Sequence, residues 1–147
     1  MDKPDSQQRG LAGEYYVASI ISRLGYDIGI TIRRAKTFDM IAVAPSGKTV
    51  NIQVKSTYGS NDWLVREFNS SDNSVVALIR LGKDATQKPK LYFLPGARAN
   101  ELITRKDKPF SNITRKDVED NGFKDHDFTL IERLLGEELK RGEAPLI

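Results

Sequence analysis

Cysteine is absent from this 147-residue sequence and histidine occurs once, as His126. No disulfide framework or thiolate zinc site can form, and imidazole-based metal or triad chemistry has almost nothing to draw on. Any metal bound here must be held by oxygen. Long apolar runs are also lacking: none approaches the roughly 18 to 20 residues that span a bilayer. The opening MDKPDSQQRG carries no apolar stretch of the kind found in secretion signals. These absences lead to the expectation of a cytoplasmic protein that does not enter membranes. Repeats, low-complexity tracts and Pro/Gly/Ser-rich linkers are missing as well, so residues 1–147 are expected to form a single domain.

Hydrophobic residues make up 39% of the chain and charged residues 29%, which excludes a disordered composition. A chain of this length can bury roughly 70% of the surface its unfolded form exposes. The net charge of +3 is unevenly placed. Residues 117–147 hold nine acids and four bases, a net of −5, which leaves +8 on residues 1–116. A basic body with an acidic tail fits a polyanionic partner such as nucleic acid, although the pI of 9.1 is also common among proteins that bind none.

The first periodic segment runs from about Ser6 to Leu24 and stops at Gly25, a residue suited to the left-handed position after a helix. Leu11, Val17, Ala18, Ile21 and Leu24 recur at helical spacing and define a face expected to meet a core. From Tyr26 the period changes to two. YDIGITI, FDMIAVA, KTVNIQVK, WLVREF, SVVALIRL and KLYFLP read as six strands separated by turn-forming residues. Helical character returns in ARANELITR, in TRKDVEDN with Thr114 as N-cap, and from about Asp127 with Phe128, Ile131, Leu134 and Leu135 on one side. A helix, a block of strands and then helices predicts a sheet packed by helices, α/β or α+β, and excludes an all-β barrel. His126 is read as a polar residue at a helix start.

The stretch FDMIAVAPSGKTVNIQVKST is the most informative. In its second strand Val50, Ile52 and Val54 point to one face, so Asn51, Gln53 and Lys55 form a polar row on the other. Pro45, Ser46 and Gly47 suit a three-residue hairpin loop that pairs Ala44 with Lys48. That register sets Asp39 opposite Gln53, with Lys55 on the diagonal; a two-residue loop would move Asp39 to the other face. Glu14 lies on the apolar side of the first helix, where a charge is costly unless a cation or metal pairs with it. Glu14, Asp39 and Lys55 converging from a helix and two paired strands form a site type that holds a hard divalent cation through oxygens. Plainer readings stand beside this one: Asp39 as a strand cap, Lys55 snorkelling from an edge, and Glu14 at the rim of its apolar face.

The run GEYYVASIISRLGYDI followed by FDMIAVAPSGKTVNIQVKST resembles the PD-(D/E)xK nuclease superfamily, which includes archaeal Holliday-junction resolvases and many restriction enzymes. The motif-bearing similarity covers about residues 13–57. It implies a restriction-endonuclease-like α/β fold, a central mixed β-sheet flanked by helices, with a motif core over about 10–95 and a C-terminal helical part over about 96–147. By the same resemblance Glu14 corresponds to the helix acid, Asp39 to the metal-binding Asp, Gln53 to the usual second acid and Lys55 to the catalytic Lys. Asp39, Gln53, the backbone carbonyl of Val54 and Glu14 would hold Mg2+, with Mn2+ able to substitute. Phe38 stands where the name motif has Pro. Gln53 removes one negative charge from the site, as in the Q-x-K pattern of Mrr-like restriction endonucleases.

The function this implies is metal-dependent hydrolysis of phosphodiester bonds, in DNA ahead of RNA, in repair, recombination, mobile-element or defence settings. A homodimer would serve an enzyme that cuts both strands. Arg33, Arg34 and Lys36, just before Asp39, are placed to grip a phosphate backbone. Lys83, Lys88 and Lys90 form a second basic group, and Arg98, Arg105, Lys106 and Lys108 a third. Tyr58 and Trp63 are candidates either for stacking on an unpaired base or for packing. Gly10 and Gly13 allow either a phosphate or the sheet to approach the first helix. Two alternatives remain: a nuclease-fold module that binds nucleic acid without turnover, and a partner in a toxin/immunity-type system that uses the acidic tail.

Overall fold

The computed structural model describes residues 3–31, 38–104 and 111–136. Helix α1 spans Ser6–Arg23 and begins with a capping box in which the Asp5 carboxylate accepts from the Gln8 amide and the Gln8 side chain accepts from the Asp5 amide. Seven strands follow, β1 Asp27–Ile30, β2 Met40–Val43, β3 Thr49–Tyr58, β4 Trp63–Val65, β5 Ser74–Leu81, β6 Lys90–Pro95 and β7 Ser111–Ile113. Helices α2 Gly96–Glu101, α3 Arg115–Asp120 and α4 Thr129–Leu135 complete the described chain.

Five strands form one mixed sheet in the order β1-β2-β3-β5-β6, with β3 and β5 parallel and the other neighbours antiparallel. The expected α/β architecture, a mixed sheet flanked by helices, is therefore present. Alternation along the strands builds two cores. Val50, Ile52 and Val54 of β3 join Val75, Ala77 and Ile79 of β5 under α1 and α4, with Val17, Ile21 and Ile131. On the other face Val76, Leu78, Tyr92 and Leu94 meet Trp63, Ile113 and Val118. Trp63 is fully buried and its indole N–H donates to the Ile79 carbonyl at 3.0 Å, which makes it a core residue and excludes it as a stacking platform.

Three expectations change. Leu11 is 50% exposed, because the side of α1 that meets the sheet is set by Gly13, Val17 and Ile21, four residues apart, and Leu11 lies almost opposite Gly13. WLVREF contributes only the three residues of β4, which leave the central sheet to pair antiparallel with β7, a strand in the part expected to be helical. The last helix starts at Thr129 because the Asp127 carboxylate accepts from the Thr129 amide at 3.0 Å and from its hydroxyl. His126 precedes it at φ 54, in the left-handed region.

Candidate functional site

The β2–β3 hairpin has the register that a three-residue loop predicts. The Ala44 amide donates to the Lys48 carbonyl at 2.9 Å, and Gly47 takes φ 91, which closes the turn. Pairing then runs Ala42 with Val50 and Met40 with Ile52. One residue further the ladder changes. The Asp39 amide donates to the Ile52 carbonyl, and its carbonyl accepts from the Thr31 amide at 2.9 Å and the Thr31 hydroxyl at 3.0 Å. The Asp39 carboxylate turns to β3 and accepts the Val54 amide at 2.7 Å. Asp39, one residue before the Met40–Ile52 pair, therefore comes beside Gln53 as the register predicts, with its carboxylate on the Val54 amide.

Helix α1 brings the second carboxylate to the same place. An added Cβ at Gly13 would lie 2.0 Å from Ser56 Oγ and 2.9 Å from Ile79 Cγ2, so the helix backbone presses directly on β3 and β5. This contact decides what Gly13 is for: close packing of α1 on the sheet. Glu14, the next residue, is half-buried and meets Asp39. Its carboxyl pKa is raised above the ordinary value, first by burial, then by the Asp39 charge, then by a hydrogen bond between the two side chains. Two carboxyls held this way favour either a shared proton or a cation between them.

Gln53 and Lys55 sit on β3 opposite Val76 and Leu78 of β5, so their side chains leave the face that carries Val54. Gln53 is half-buried and borders a pocket of about 10 Å³ with Asn51, Asn69 and Ser74, room for a single water. Lys55 is half-buried and makes no ion pair with a described residue. In an extended strand the N–H and C=O of one residue point the same way, so the Val54 carbonyl faces the side where Asp39 receives the Val54 amide. Among the described residues no group of three or more His, Cys, Asp or Glu side chains converges. The oxygens at hand for a hard cation are the Glu14 and Asp39 carboxylates and the Val54 carbonyl, a donor set that suits magnesium or manganese. Arg33, Arg34 and Lys36 lie outside the described residues.

Sequence reasoning missed two supports of this arrangement. Thr31, at the end of β1, fixes the Asp39 backbone from eight residues away. His126 receives or donates a 2.8 Å hydrogen bond with the Tyr16 hydroxyl, tying α1 to the segment before α4 across 110 positions. Neither a hydroxyl near a strand end nor a lone histidine carries a sequence signal for such a partner.

No protein-family model and no curated protein matches the chain. Solved structures do. A bacterial homing endonuclease, I-Ssp6803I, superposes with a TM-score of 0.53 over 76% of this chain and 80% of its own, at 11% identity. A Holliday junction resolvase, Hjc of Archaeoglobus fulgidus, gives a TM-score of 0.44 over 70% of this chain and 88% of its own, at 12% identity. The fold is restriction-endonuclease-like.

Proposed function

We propose that the protein is a metal-dependent endonuclease that hydrolyses phosphodiester bonds of nucleic acid, with DNA as its substrate and a cytoplasmic location. The observation that carries this reading is the meeting of Glu14 and Asp39 beside the β3 backbone that bears Lys55. Glu14, Asp39 and the Val54 carbonyl would hold magnesium, or manganese in its place. Such an ion supplies a water of lowered pKa and offsets the charge that builds on the phosphate.

The remaining work falls to the chain's own side chains. Water oxygen forms a bond to phosphorus and gives up a proton to solvent, one bridging P–O bond breaks and its oxygen leaves as a hydroxyl after taking a proton from solvent, and negative charge grows meanwhile on the non-bridging oxygens. Lys55, without an ion pair to any described residue, provides a positive charge for that growth. Glu14 would accept a hydrogen bond from the attacking water. Arg33, Arg34 and Lys36 would hold the adjacent backbone, and two copies would act together where both strands are cut. The test is cleavage of plasmid, linear duplex, branched and single-stranded DNA, and of RNA, with magnesium or manganese. Cleavage that is lost in Asp39→Ala and reduced about 100-fold or more in Lys55→Ala supports the assignment. Undiminished cleavage by both variants, or none by the wild type on any substrate, defeats it.

One observation favours a second reading. With Gln53 in place of an acid, no three-acid cluster forms among the described residues, and a domain that binds DNA without cutting it needs none. That reading expects salt-sensitive binding that survives Asp39→Ala, with no magnesium response.

A further inference from the structure

Across α1 from Glu14 lies a cleft of about 560 Å³ between the start of the helix and the 82–89 loop. Its volume falls in the roughly 300 to 1,000 Å³ range of small-molecule sites. Ala12 and Tyr16 line it from α1, Tyr58 from the end of β3 and Leu81 from the end of β5, while Lys83 and Lys88 stand on the loop. Ala12 and Tyr16 share one side of α1, and Glu14 projects from the other. The cleft and the carboxylate pair therefore flank the same helix and share the same strand: Tyr58 is four residues beyond Val54, whose amide Asp39 accepts, about 13 Å along β3.

We propose that this cleft takes one unstacked nucleotide of the strand on which the enzyme acts, with its base against Tyr58 and its phosphate on Lys83 and Lys88. The proposal rests on the nuclease reading and adds to it a substrate class, DNA with an unpaired segment beside the cut. Its walls are mainly apolar and aromatic, and its mouth is cationic. Lys83 and Lys88 are exposed and form no ion pair with a described residue. Asp84, the acid among the described lining residues, has its carboxylate occupied by the Thr86 amide at 2.8 Å and the Thr86 hydroxyl at 2.7 Å. An apolar peptide would have no use for the two cations, whereas a nucleotide uses both surfaces.

The aromatic walls are also fixed in advance. The Arg9 guanidinium lies 5.9 Å from the centre of the Tyr58 ring, and the Tyr58 hydroxyl donates to the Lys83 carbonyl at 3.4 Å. Tyr16 is held through its hydroxyl by His126, which in turn contacts the Asp125 carboxylate at 2.5 Å. Rings already held by these contacts lose less freedom at the moment of binding, which favours capture of a planar base.

The experiment measures binding of a fluorescent oligothymidylate, and of the corresponding duplex, in EDTA, so that cleavage plays no part. Tyr58→Ala is expected to weaken single-strand binding by about tenfold, and Tyr58→Phe to retain it. Lys83→Ala combined with Lys88→Ala is expected to weaken it further and to flatten the salt slope by about 0.7, the value for one phosphate contact on a single strand. Thymidine monophosphate is expected to shift the resonances of Ala12, Tyr16 and Leu81. Unchanged single-strand affinity in Tyr58→Ala, binding of duplex alone, or shifts confined to other residues would overturn the proposal. Because metal is absent, absence of nuclease activity leaves these outcomes unaffected, and the two readings fail separately.

Discussion

Glu14 and Asp39 carry the account at the scale of single residues, and their contact has consequences for stability. A carboxyl whose folded-state pKa is raised binds protons more tightly in the native state than in the unfolded one, so its ionisation lowers stability as pH rises through the interval between the two values. The direction at Glu14 means that the native state is less stable at neutral pH than it would be with a neutral side chain there. Glu14→Gln should therefore raise the melting temperature at pH 7 by roughly 1 to 3 °C, a small gain because the site is partly exposed and screened. The gain should shrink on acidification as Glu14 takes up its proton. Thermal melts at pH 4 and pH 7 check this, and a lower melting temperature for Glu14→Gln at neutral pH would contradict the carboxylate contact. Glu14 and Asp39 were legible in the sequence because acids that interrupt apolar periodicity are conspicuous. The shift of the Asp39 carboxylate onto Val54 was not, since it depends on a break in the ladder that one backbone hydrogen bond decides.

The elements depend on how closely α1 approaches β3. Gly13 has no room for a side chain over Ser56, so Gly13→Ala should lift the helix, destabilise the fold by about 1 to 3 kcal/mol and move Glu14 away from Asp39. Removing the obstruction in Gly13→Ala/Ser56→Gly should restore part of that loss, a coupling that a double-mutant cycle measures by chemical denaturation. Strictly additive effects would mean that the two residues do not meet. On the other face Trp63 joins the β4–β7 pair to β5, and Trp63→Ala should cost about 3 to 5 kcal/mol. Strand alternation revealed β2 and β3, whose buried positions recur with period two, while β5 and β6 stood out as short continuous apolar runs between turn-forming residues. β7 escaped notice because Ser111–Ile113 is too short to show a period, and the exposure of Leu11 because helical spacing alone does not say which of two neighbouring stripes meets the sheet.

At the scale of the whole molecule, the modest net charge of +3 separates into a body of +8 and a tail of −5. DNA affinity should accordingly fall steeply with salt, by tenfold or more between 50 and 200 mM, as several phosphate contacts require; affinity independent of salt would exclude a backbone-tracking surface. No described helix is long and apolar enough to cross a membrane. The mixed sheet with α1 across it brings a helix acid to the acid that precedes β2, beside the central strand β3. Calorimetric titration with manganese tests the central claim most directly. Wild-type protein should bind the ion with a measurable heat that disappears in Asp39→Asn and weakens in Glu14→Gln. Equal heats in all three proteins, or none in the wild type, would contradict a cation site at these carboxylates.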